Sequence, residues 1–407
     1  IKCVAFGRQD SAKGLAPGIF YGGQAPFGVS RFIRRLSERL SISKTDKDID
    51  EDILSCVPEM ALENPNNNII NTASFGRVSA GALYGYNNLF DSKDMPRVYL
   101  LPELFVQNGV NVAALAMIVY QNYLNFGKKA TVIVGTENQI IRIKIYLSRC
   151  YQTKMRKYEN VLSRDPALLQ IAKELNFING GCPGPDDLAE FLAVEQEEEI
   201  SINNGGNSLI IRHLSGGKYE LEEEGKKYIL DCSDIKPVRM LFVNAFLGHR
   251  RPEFGVTILG SGTAFSLGRL TTSYIIWAGN RAILVDAGPY TLEIMERIGV
   301  SWREITDVFI THQHEEHDVG LVGLLEKLRR WNSVNKLQRK INIITSVIVW
   351  NEYLSKLDSL VGEENKSSLL NSVNFMDIAA AKDKTVFLGV NKHIEAGYAL
   401  HNVISLM

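Results

Sequence analysis

Thr311-His312-Gln313-His314-Glu315-Glu316-His317-Asp318 is the stretch on which the reading of this chain turns. The residues before it, Asp307-Val308-Phe309-Ile310, form an apolar run of strand length, so the stretch begins where a buried strand ends. Loops at strand ends carry sites in layered α/β folds, because a rigid sheet holds them and solvent reaches them. In an extended segment His312 and His314 project to the same side. His317 starts the next element, a helix expected over residues 319–328 from apolar residues at helical spacing. Three imidazoles can therefore converge on one small volume. Neutral imidazole nitrogen is a preferred ligand of Zn(II) and also suits Fe(II) or Mn(II). With 7 histidines in 407 residues, this spacing arises by accident in roughly 0.002 of such chains, a discount that every motif needs.

Working outward, Val256-Thr257-Ile258-Leu259-Gly260 reads as a buried strand. Tyr274-Ile275-Ile276-Trp277 then turns through Ala278-Gly279-Asn280 into Arg281-Ala282-Ile283-Leu284-Val285, a β-hairpin with its turn chemistry in place. Asp286-Ala287-Gly288-Pro289 follows, and then a short helix over residues 291–298. His249-Arg250-Arg251-Pro252 marks a boundary in front of this unit.

Farther upstream, Val98-Tyr99-Leu100-Leu101, a helix over residues 112–124 and the strand Ala130-Thr131-Val132-Ile133-Val134 alternate as in an α/β unit with parallel strands. One helix is expected over residues 156–177, stopped by the breaker cluster from Ile178 to Pro185. The acidic run Glu195-Gln196-Glu197-Glu198-Glu199 reads as a solvated helix end. Residues 208–211, 218–221 and 227–230 read as short strands. Gly14, Gly18, Gly22, Gly23 and Gly28 lack GxGxxG spacing, so no dinucleotide site is supported. The division that results is an α/β domain over 1–155, a helical and β-rich connector over 156–250, and a site-bearing domain over 251–407.

Composition bounds the function classes. The chain is 45% hydrophobic and 22% charged with a net charge of -1, which supports folded cores but gives no bulk positive field for nucleic acid. Its 5 cysteines (Cys3, Cys56, Cys150, Cys182, Cys232) are scattered and odd in number, against both a zinc ribbon and a disulfide framework. A reducing cytoplasm is the expected setting. No run of 18 apolar residues suggests a membrane span. The first residue is not Met and the last residues are apolar, so the sequence reads as a piece of a longer chain.

Leu259-Gly260-Ser261-Gly262-Thr263-Ala264, Leu284-Val285-Asp286-Ala287-Gly288 and the run from Ile310 to Leu325 resemble, in that order, the metallo-β-lactamase superfamily. The likeness is greatest to its ribonuclease Z and cyclic-nucleotide phosphodiesterase branches and covers roughly residues 255–407. It implies an αββα sandwich, incomplete in this chain, behind an α/β domain and a β-rich connector. It further implies two divalent metal ions, zinc first, with His312 and His314 on the first metal and His317 on the second. His401, in His401-Asn402-Val403-Ile404-Ser405-Leu406, resembles the next metal histidine, whereas His393 reads as an ordinary strand-end residue. Asp286 matches the aspartate that supports the metal loop.

The chain departs from the family at Glu316, where the family usually carries the aspartate that binds the second metal and holds the nucleophilic water. A longer carboxylate can still ligate and accept a proton, but it moves its oxygens by about a methylene, in chemistry sensitive to displacements near 1 Å. A bridging aspartate and a last histidine are expected beyond Met407. The function implied is metal-dependent hydrolysis of a small phosphodiester, a cyclic nucleotide, with Glu316 and Asp286 as catalytic residues and self-association open. The alternatives are a ribonuclease Z-like endonuclease acting on RNA and a regulatory protein with a degenerate site. A di-iron redox protein ranks below them, because that branch trades one of these histidines for a carboxylate.

Overall fold

A computed structural model describes residues 2–5, 60–63, 69–82, 95–127, 129–152, 155–179, 184–235, 239–242, 251–260, 262–264 and 270–380, with 385–389, 392–396, 398–400 and 404–406 beyond them. The early glycines and His401 lie outside the described residues. No described helix is long and apolar enough to cross a membrane.

Two sheets organise the chain. In the upstream one, β2 (Ile69–Thr72) and β3 (Gly76–Ala80) form an antiparallel pair, and β4 (Val98–Leu100), β5 (Thr131–Gly135) and β6 (Ala189–Ala193) continue from β3 in parallel. Helix α1 (Ala116–Phe126) joins β4 to β5, and α2 (Glu137–Tyr151) follows β5. The expected helix over 112–124 therefore starts later than its pattern suggests. The expected helix over 156–177 is broken: the chain forms a short helix at Glu159–Leu162 and a new one at Pro166–Asn179. Pro166 cannot continue a helix but suits a first turn, where Asp165 Oδ1 accepts from the Ala167 backbone N–H at 3.0 Å.

Strands β7 (Glu199–Asn204), β8 (Asn207–Leu214), β9 (Lys218–Glu223) and β10 (Lys226–Asp231) form an antiparallel meander. The acidic run at 195–199 is solvated as expected, but it is the turn between β6 and β7 and not a helix end. Leu209, Ile211, Tyr219, Leu221 and Leu230 of the meander share one apolar core with the upstream sheet. Because β6 closes that sheet, a line drawn at 155 passes between strands of one sheet.

The second sheet has seven strands in the order β1 (Lys2–Ala5), β11 (Phe254–Gly260), β12 (Ser273–Ala278), β13 (Arg281–Val285), β14 (Asp307–Phe309), β15 (Ile341–Thr345) and β16 (Val373–Asp377). The hairpin β12–β13 forms as read, with Ala278 opposite Arg281 and Gly279 at φ +60°, the left-handed conformation that a two-residue turn demands. Strands β13 to β16 run parallel. Helices α3 (Thr291–Arg297), α4 (Glu315–Asp318), α5 (Leu321–Asn335), α6 (Val347–Val361) and α7 (Glu363–Leu370) connect them. Trp277, fully buried in the core beneath them, satisfies its indole N–H on Thr257 Oγ at 2.8 Å. The opposite face buries Ile283, Val285, Phe309 and Ile344 against Ile378 and Ala396. The C-terminal ends of β13 and β14 thus lie side by side, which is where the motif residues emerge.

Candidate metal centre

Asp286 leaves β13 with φ +56°, a left-handed backbone that short polar residues tolerate better than most. Its carboxylate spans the gap to the neighbouring strand end. Oδ1 accepts from the Thr311 backbone N–H at 2.8 Å, Oδ2 from the Thr311 hydroxyl at 2.8 Å, and Oδ2 also from His317 Nδ1 at 2.8 Å. That last bond makes Nδ1 the protonated nitrogen and leaves Nε2 as the ligating atom of a neutral ring. Burial opposes protonation of His317, but Asp286 prevails and lifts its pKa above the ordinary histidine value.

Gly288 explains why the loop after Asp286 must be small. A Cβ there would sit 2.3 Å from Thr271 Oγ and 2.4 Å from the Glu316 carbonyl oxygen. The Thr271 hydroxyl donates to that carbonyl at 3.2 Å, and the Gly320 N–H donates to the Ala287 carbonyl at 2.7 Å. The β13 loop and the motif are therefore locked backbone to backbone.

Within the motif the three rings pack on one another. His312 Nε2 lies 3.2 Å from His314 Nδ1, and the His312 and His317 ring centroids are 4.1 Å apart. The Thr311 hydroxyl holds His312 Nδ1 at 2.9 Å. Glu316 Oε1 is 3.9 Å from His314 Nδ1 and 4.0 Å from His317 Nε2, too far for hydrogen bonds. Its other oxygen, Oε2, is buried with no hydrogen-bond partner among the described residues. A buried carboxylate oxygen without a donor is costly unless a cation or a proton answers it.

Among the described residues, no three histidine, cysteine, aspartate or glutamate side chains surround a common point as metal ligands would. The donors are gathered but not yet a coordination shell. Their chemistry nonetheless fits a divalent cation: three imidazoles, one with its tautomer fixed by a carboxylate, stand beside an unanswered carboxylate oxygen. His393 lies elsewhere, exposed on a strand and paired with Glu395 at 3.0 Å.

Reading the sequence alone missed the residues that hold the motif from behind. Glu315 and Asp318 are buried, and burial pushes each carboxyl up to about 7, Asp318 against the pull of Lys356. Lys356, also buried, donates to the Gln313 carbonyl at 2.6 Å and to Asp318 Oδ2. No local pattern advertises these pairings, since Lys356 is 43 and 38 residues from its partners.

Known proteins align with this part of the chain. Residues 254–402 match the family described as Anti-Pycsar protein Apyc1. The chain is 29% identical over 110 residues to cGMP-dependent 3',5'-cGMP phosphodiesterase A of Dictyostelium discoideum, covering 27% of this chain and 11% of that protein. It is 34% identical over 91 residues to ribonuclease Z of Archaeoglobus fulgidus, covering 22% of this chain and 28% of that protein. Among solved structures, the metallo-β-lactamase fold protein YhfI from Bacillus subtilis aligns with 34% of this chain and 48% of its own at 18% identity and a TM-score of 0.25. The chain thus spans between about a tenth and three tenths of the curated relatives' length. The described residues fold as α/β layers, as the motifs led us to expect. Homologues of the C-terminal region are ribonuclease Z and cGMP phosphodiesterases, the branch that the motifs resemble.

Proposed function

We propose that residues 251–407 form a metal-dependent hydrolase unit acting on a phosphodiester, with a cyclic nucleotide as substrate. The observation that carries this reading is the buried Glu316 Oε2, which has no donor among the described residues and stands beside the histidines of the motif. Similarity to a cGMP phosphodiesterase supports the substrate class.

His312, His314, Glu316 and His317, with His401, would hold two divalent cations, zinc first. When bound, these cations lower the pKa of water towards neutrality and polarise the phosphoryl oxygen. The chain's own residues do the rest. Asp286 holds His317 Nδ1–H and thereby aims Nε2. Thr311 bridges Asp286 to His312 Nδ1, so one carboxylate steadies two rings. Glu316 Oε2 would accept the proton of the attacking water and orient its lone pair. Buried surroundings strengthen each of these interactions.

Similarity to ribonuclease Z supports a second reading, cleavage of RNA. The two differ in their dependence on salt, because RNA binding through many phosphates weakens steeply as salt rises. Turnover of cGMP, cAMP and precursor tRNA by the full chain would be measured with Zn(II) and with Mn(II) at two salt concentrations. Salt-insensitive hydrolysis of a cyclic nucleotide is expected. Salt-sensitive tRNA cleavage without it would replace the first reading by the second, and no turnover of either would leave a degenerate, ligand-binding site.

A further inference from the structure

The motif has a second side. His312, His314 and Glu316 gather at the site, whereas Gln313 and Glu315 are engaged by the upstream region. The Gln313 side-chain amide donates to the Arg149 carbonyl of α2 at 3.1 Å. The Glu315 carboxylate accepts from the Ala116 and Met117 backbone N–H groups, each at 3.2 Å, and from the Tyr146 hydroxyl of α2 at 2.7 Å. Tyr146 in turn accepts from Asn111 Nδ2 at 3.1 Å. All these contacts to Glu315 are buried.

Helix α1 has no side-chain cap of its own, as Leu115 stands at its N-cap position. Its first N–H groups need an acceptor, and its positive end favours an anion. Glu315 supplies both from 199 residues away. The dependence runs the other way as well. A four-residue helix such as α4 cannot hold itself, so outside contacts set its orientation. Those contacts include Lys356 at Gln313 and Asp318, and α1 with Tyr146 at Glu315, beside Asp286 at His317 and Thr271 at the Glu316 carbonyl.

We infer that Glu315 is a positioning residue through which the upstream α/β region, by way of Tyr146 and the start of α1, sets the orientation of Glu316 and His317. The inference rests on the metal-dependent reading proposed above, in which Glu316 and His317 are ligands. Glu315 touches neither substrate nor metal. It fixes the backbone from which both ligands leave, and catalytic geometry loses about 10²-fold for a misplacement near 1 Å.

The test uses the full chain with Co(II) as probe. Affinity is read by competition with a chelator and coordination by visible absorption, at a temperature where circular dichroism shows each variant folded. Tyr146→Phe, which removes only the hydroxyl, is expected to weaken Co(II) binding about tenfold and shift the visible bands, and Glu315→Ala to approach a hundredfold. Glu315→Gln keeps one acceptor oxygen for the α1 N–H groups and should fall between them. On a cyclic nucleotide, kcat should fall in the same order with KM little changed.

Variants that melt earlier yet keep wild-type Co(II) affinity and spectrum would overturn the inference while leaving the hydrolase reading intact. A wild-type chain that takes up no Co(II) would overturn both. Should Glu315→Ala fail to fold, Tyr146→Phe and Glu315→Gln decide the matter by the same two readings.

Discussion

The upstream sheet and the last five strands of the site-bearing sheet follow one order. Each has an antiparallel hairpin, β2–β3 or β12–β13, followed by three parallel strands, β4 to β6 or β14 to β16. In each, a 15-residue helix follows the second parallel strand and is N-capped by a hydroxyl, Thr136 for α2 and Ser346 for α6. These two helices meet: Arg149 Nε donates to Ser355 Oγ at 3.2 Å, and Arg142 Nε to the Ser359 carbonyl at 2.8 Å. The difference lies at the end of the first parallel strand. After β4 the chain reads Leu101-Pro102-Glu103, and after β14 it reads Ile310-Thr311-His312-Gln313-His314. The shared layout indicates that the sheets supply like platforms, and that one strand-end loop carries the histidine motif where the other does not.

The comparison can be broken most severely where the site-bearing half depends on a buried charge that the upstream half lacks at the matching loop. Lys356→Met strands the Asp318 carboxylate and the Gln313 carbonyl, and should lower stability by about 3–5 kcal/mol in urea titrations. Gly288→Ala drives a Cβ into the Glu316 carbonyl. Displacing that backbone should cut steady-state turnover about 10²-fold with a smaller change in melting temperature.

Contact between the halves is tested by Gly323→Ala, whose Cβ would meet the Gly109 carbonyl oxygen at 2.4 Å, backbone that cannot swing away. Overpacking of this kind costs about 1–3 kcal/mol, again read from urea midpoints. The matched pair Thr136→Ala and Ser346→Ala should cost least, about 1 kcal/mol each. Thr136 takes part in a full capping box with Gln139, whereas Ser346 only accepts from Val349, so the upstream cap should lose the more. Equal losses would show that the two caps are interchangeable in strength.

How legible each half was from sequence follows from the range of the forces that shape it. The hairpin β12–β13 was readable because alternation and a glycine turn are local signals, and the hairpin formed in the expected register. His312 and His314 were readable because extended spacing alone puts them on one side. The start of α1 was not, since its cap is a carboxylate from the other half. Helix α2 was overlooked because its Ile140-Ile141-Arg142-Ile143-Lys144-Ile145 run is rich in β-branched residues, and tertiary packing on α6 outweighs that preference. The likeness of the two sheets escaped notice because it resides in strand order and not in residue identity. At the candidate site, the histidines that gather were visible as a motif, but the contacts of Glu315, Lys356 and Gly288 were not, because they act across long separations.

The carboxylate of Glu315 also bears on the order in which this protein is made. Chains emerge from the ribosome at about 5–20 residues per second. The 199 residues between Ala116 and Glu315 therefore correspond to roughly 10–40 s during which the first turn of α1 exists without its acceptor. Through that interval the earlier half carries an open helix end, and it closes only when the histidine motif has been synthesised and has docked. The upstream half thus completes its own folding at the moment the half with the histidine motif acquires its shape.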